Sequence, residues 1–149
     1  MAVGRRPSRS SRPARTGAAA RFTVDASVFV NAFNLREAGH AASLRILSAI
    51  QDRAVPMIVP TLIIPEIAAA VARATGDHEA ALDYAAAAAA LPHLTLVSLT
   101  AAVARQAGEL AAVHRLRGAD AVYVAVARRY GTTIVSRDRE RNAAGSSGG

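Results

Sequence analysis

RFTVDASVFVNAF, residues 21–33, decides the fold. Phe22 to Val24 is a short apolar run that stops at Asp25, and a helical pattern follows from Ser27 to Asn34. Strand followed by helix is the unit from which parallel sheets are built. Working outward, the unit recurs. Met57 to Val59 lies between Pro56 and Pro60, Leu94 to Val97 follows Pro92, and Thr132 to Val135 follows Gly131. Helical patterns fill the intervals at His40 to Asp52, Thr61 to Thr75, His78 to Leu91, Thr100 to Leu116 and Asp120 to Tyr130. Within His78 to Leu91, the alanines 85–90 are strong helix formers that pack thinly. The spacing predicts a mainly parallel sheet of about four strands covered on both faces, a three-layer α/β/α sandwich.

In such a sheet, loops and helix starts converge beyond the carboxyl ends of the strands, so polar residues there carry the chemistry. Four of the 11 acidic residues sit at strand ends or in apolar company. Asp25 follows the first strand, and Asp138 follows the fourth within three residues. Glu66 lies in an apolar helix pattern, PTLIIPEIAAAV, and Asp120 opens the last helix after Arg117-Gly118-Ala119. Each also has a plainer reading. Asp25 and Asp120 suit helix N-caps, and Asp138 suits a turn. Glu66 is different, because a carboxylate on a buried face needs a partner. A convergent carboxylate set repels itself unless a divalent cation sits among it, and hard oxygen ligands select Mg²⁺ or Mn²⁺. The four histidines have no metal-ligand spacing.

Composition removes competing chemistries. With no cysteine there is no thiolate site, disulfide or cysteine nucleophile. All 18 basic residues are arginine, so Schiff-base, P-loop and Ser-Lys mechanisms are gone. Three Tyr and three Phe are too few for single-strand stacking platforms. The net charge of +7 is concentrated at the start: residues 1–21 hold six arginines and no acid, and the remaining 128 residues balance to +1. Residues 1–20 are Arg, Ser, Pro, Gly and Ala without apolar periodicity, and a disordered tail is expected there. A second flexible tail is expected at residues 143–149, leaving 21–142 as one domain. No window reaches the ~18 uncharged apolar residues of a membrane span. The expected location is the cytoplasm.

The order of these motifs resembles the PIN-domain nucleases, most closely the VapC-like toxins of toxin–antitoxin pairs. The resemblance rests on Val24-Asp25-Ala26-Ser27, Pro65-Glu66-Ile67, Leu116 to Ala121 (LRGADA) and Ser136-Arg137-Asp138, four motifs in order across 22–141. It implies a Mg²⁺- or Mn²⁺-dependent endoribonuclease that cleaves RNA phosphodiester bonds, forms a homodimer and is inhibited by a cognate antitoxin. Carried over residue by residue, Asp25, Glu66, Asp120 and Asp138 would be the catalytic carboxylates, with Asp25 and Asp120 on the metal. Ser27 and Ser136 would orient carboxylates, and Arg117 and Arg137 are candidates for RNA phosphate contact, with solvated surface as their plainer reading. Family members usually continue into another helix and an edge strand, whereas only Arg139 to Asn142 remain before the Gly/Ser tail. The expected fold is therefore short at its C-terminal edge.

Two further readings compete. A PIN-like scaffold that binds RNA or a protein without cutting has no need of four convergent carboxylates. A receiver domain wants a lysine after a late strand, and a dehalogenase-like phosphatase wants Asp-x-Asp where Asp25-Ala26-Ser27 stands.

Overall fold

A computed structural model describes residues 20–137. The expected tails, up to residue 19 and over 143–149, lie outside the described residues, as does the stretch from Asp138 that bears on the C-terminal edge. Within them, β1 (Phe22–Val24), β2 (Met57–Pro60), β3 (Leu94–Val97) and β4 (Thr133–Val135) alternate with helices. These are α1 (Ala26–Phe33), α2 (His40–Asp52), α3 (Ile63–Thr75), α4 (His78–Ala89), α5 (Ala101–His114) and α6 (Gly118–Tyr130). The sheet is parallel throughout, in the order β3-β2-β1-β4. Phe22 pairs with Met57 on one side and Thr133 on the other. The strand that introduces Asp25 is thus interior, with both neighbours pinning its register.

Two apolar layers cover the sheet. Val24, Phe29, Leu47, Met57, Val59, Ile63, Ile67 and Val71, with the small Ala81, Ala85 and Ala88 of α4, build one layer. The opposite layer holds Ile58 from β2, Val103, Ala107 and Leu110 from α5, and Ala121, Val122 and Val124 to Val126 from α6. Alternation along β2 explains the split, since Met57 and Val59 point one way and Ile58 the other. Every α6 residue from Asp120 to Ala127 is buried. A helix apolar all round belongs inside, and the run AVYVAVA supplies small and β-branched side chains that let it sit close to the strands.

Local chemistry sets the ends of elements. Pro65 falls in the first turn of α3, where its missing N–H has no intrahelical partner to lose, and Glu66 N donates to Leu62 O at 3.2 Å to begin the ladder. At the close of α6, Gly131 takes φ +64°, a left-handed conformation that costs glycine little, and the chain turns into β4. Among the described residues no helix is long and apolar enough to cross a membrane.

Candidate active site

Interior position makes β1 deliver Asp25 into a fixed place. Asp25 N donates to Val135 O at 2.9 Å, extending the pairing with β4 by one residue, and the side chain is 0% exposed. Asp25 occupies the N-cap position of α1 but makes no side-chain capping bond. Its Oδ2 accepts instead from Ser27 Oγ at 2.5 Å and Ser136 Oγ at 2.9 Å. Ser27 Oγ in turn accepts from Arg137 N at 3.0 Å. One hydroxyl comes from α1 and the other from just past β4, so the carboxylate is held from both ends of the described chain. Two donors on one carboxylate oxygen fix its rotamer.

Asp120 is the third residue of α6, and Arg117 holds the N-cap position. Helix capping therefore does not explain Asp120, which is 1% exposed. Glu66 projects from the first turn of α3, half-buried, and its Oε1 accepts from Tyr123 Oη at 2.7 Å. Burial raises the Glu66 carboxyl above its ordinary 4.5; the Tyr123 hydrogen bond works the other way, and the charge of Asp120 adds to the rise. Glu66 and Asp120 thus feel one another across the space between α3 and α6.

Tyr123 was not singled out by the sequence. It stands three residues after Asp120, on the same face of α6, and is 0% exposed. Burial, with the charge and hydrogen bond of Glu66, pushes its hydroxyl well above the usual phenol range, opposed by a backbone hydrogen bond from Ala26. The signal available in AVYVAVA was a polar handle in an otherwise apolar run, because a buried tyrosine hydroxyl needs a partner. The partner itself was not readable.

The remaining candidates divide. Arg117 is exposed at the start of α6. Arg137 is exposed and lies over Gly39, where an added Cβ would come within 3.1 Å of its Nε and 2.8 Å of Asn31 Nδ2. Asp138 lies outside the described residues. Among the described residues, no three His, Cys, Asp or Glu side chains form a ready-made metal cage. What the described residues do show is that Glu66 and Asp120 feel one another's charge and that Tyr123 links Glu66 to the backbone of Ala26, next to Asp25; carboxylate oxygens are the donor type that suits a hard divalent cation.

A parallel α/β/α domain with buried carboxylates beyond the carboxyl ends of its strands is the class this geometry defines. Over residues 22–145 the sequence matches the PIN domain family, and the chain belongs to it. Among solved structures, VapC20 of Mycobacterium tuberculosis, a Sarcin-Ricin loop cleaving toxin, superposes with a TM-score of 0.73 at 24% identity, covering 85% of this chain and 95% of that one. VapBC2 of Rickettsia felis, solved with a DNA fragment from its promoter, matches with a TM-score of 0.60 at 13% identity, covering 83% of this chain and 92% of that one. Among curated proteins no relative matches.

Proposed function

We propose that this PIN domain is a divalent-metal-dependent endoribonuclease that acts as the toxin of a toxin–antitoxin pair. The observation that carries the reading is the burial of Asp25 and Asp120 at 0% and 1% exposure, with Glu66 close enough to Asp120 to feel its charge. Burying carboxylates near one another is costly, and a functional cation is the economical reason to keep them. Asp25 and Asp120 would hold Mg²⁺ or Mn²⁺, with Glu66 and Asp138 completing the acidic pocket. When bound, such a cation supplies Lewis acidity to phosphodiester hydrolysis. The chain's own residues do the rest: Ser27 and Ser136 keep the Asp25 carboxylate in one rotamer. Arg117 and Arg137, both exposed, are the candidates to meet RNA phosphates.

The toxin assignment draws on PIN membership and on the likeness to VapC20 and VapBC2. An antitoxin needs an apolar seat, and a groove of about 410 Å³ lined by Phe29, Leu44, Leu47, Tyr84, Ala88 and Leu91 offers one between α1, α2 and α4. The reading includes a homodimer, which light scattering measures directly.

The deciding experiment incubates purified protein with a mixed pool of structured and single-stranded RNA in Mg²⁺ or Mn²⁺, beside EDTA and the variants Asp25→Ala and Asp120→Ala. Metal-dependent cutting by the wild type should fall at least a hundredfold in each variant. Failure of folded, antitoxin-free protein to cut would replace the enzyme with a PIN scaffold that binds without cleaving.

A further inference from the structure

We infer that Tyr123 is a positioning residue whose hydroxyl sets the orientation of Glu66 in the acidic pocket. The inference rests on the nuclease reading above and adds a residue to it. Tyr123 is 0% exposed, and its ring joins Ile63 and Ile67 of α3 in the first apolar layer. Its neighbours Val122 and Val124 pack in the opposite layer. Helix α6 therefore sends this side chain across to α3, where Glu66 stands.

At the end of that reach, Oη donates to Glu66 Oε1 at 2.7 Å. The Ala26 amide, next in the chain after Asp25, bonds the same phenol oxygen. One oxygen atom thus ties together the three elements that carry Asp25, Glu66 and Asp120. An O–H donor to a carboxylate makes a strong, directional bond, and its direction fixes the carboxylate plane. Glu66 hangs on three rotatable bonds and is only half-buried, so packing alone leaves it freedom that this bond removes. A phenylalanine would fill the same volume, so the hydroxyl is what distinguishes orienting Glu66 from filling the core.

The test measures Mn²⁺ affinity by isothermal titration calorimetry on wild type, Tyr123→Phe, Glu66→Ala, the double variant and Glu66→Asp, with melting temperatures alongside. Outer groups that orient ligands typically contribute 10–100-fold in metal affinity, so Tyr123→Phe should weaken Mn²⁺ by about tenfold or more. In the Glu66→Ala background the same change should do nothing further, because the hydroxyl acts through Glu66. Glu66→Asp keeps the charge but draws it back one methylene from the phenol, and it should match the loss seen in Tyr123→Phe. Unchanged affinity in Tyr123→Phe or in Glu66→Asp overturns the inference, as does an equal loss with Glu66 absent. Wild-type protein that binds no Mn²⁺ sinks the metal-dependent reading itself, which separates the two failures.

Discussion

At the scale of single residues, the two carboxylates of helical origin answer opposite physical demands. Asp120 is sealed by its position at the start of the buried stretch of α6, whereas Glu66 sits half in water with its carboxyl raised by burial, moderated by Tyr123 and raised further by Asp120. The raised carboxyl has a consequence for stability. A carboxyl that holds its proton more tightly folded than unfolded contributes stability that is fully present below 4.5 and lost as pH climbs through its folded value. Ionising Glu66 as pH rises above 4.5 therefore works against folding of the metal-free protein. Glu66→Gln keeps an acceptor for Tyr123 and removes the charge, so its melting temperature in EDTA at pH 7 should exceed the wild type's. Below about pH 4 the difference should vanish, because both side chains are then neutral. A lower melting temperature at pH 7 would mean that the charge is compensated in the free protein.

At the scale of elements, α6 and α4 show how burial is achieved by different means. Helix α6 is enclosed along Asp120 to Ala127, so its alanines are spacers that set how closely it approaches the sheet. Ala125→Leu should cost about 1–3 kcal/mol by overpacking, while Ala86→Leu on the exposed side of α4 should stay within about 0.5 kcal/mol, both read by urea denaturation. Helix α4 is fastened to α1 by Tyr84, whose hydroxyl donates to Phe29 O at 2.5 Å and whose ring centroid lies 4.6 Å from that of Phe33. Burial pushes the Tyr84 hydroxyl up from 10.0 to about 12. The stability linked to its neutral form is complete below pH 10 and is lost as pH rises through about 12. Wild-type protein should lose stability across that window, and Tyr84→Phe should lose less of it, starting from a level lower by about 1 kcal/mol for the missing hydrogen bond.

For the whole molecule, the nuclease reading makes charge placement the variable to test in RNA binding. Six of 18 arginines lie within residues 1–21, and the remainder of the chain is near neutrality at +1. If the domain alone grips RNA through few arginines, the logarithm of its affinity should fall with the logarithm of salt at a slope near −2, about three phosphate contacts on a single strand. Full-length protein with a markedly steeper slope than a variant lacking residues 1–20 would assign the difference to the N-terminal arginines. Equal slopes would leave recognition to the domain, with Arg117 and Arg137 the first positions to substitute.

How much the sequence determined follows from the range of the forces involved. Alternating apolar runs and helical periods are local, and they located all four strands and all six helices of the described residues to within a few positions, together with the parallel arrangement that puts Asp25 at a strand's carboxyl end. The carboxylates Asp25, Glu66 and Asp120 were legible because acids beside apolar runs are costly and therefore conspicuous. What each one touches was not. Whether Asp25 and Asp120 cap helices, which oxygen Ser136 meets 111 positions away, and that Tyr123 reaches Glu66 across 57 positions depend on strand order and on how α6 lies against the strands. Those contacts exist only once the chain is closed on itself, since a hydrogen bond reaches about 3 Å and carries no trace in the local pattern on either side of it.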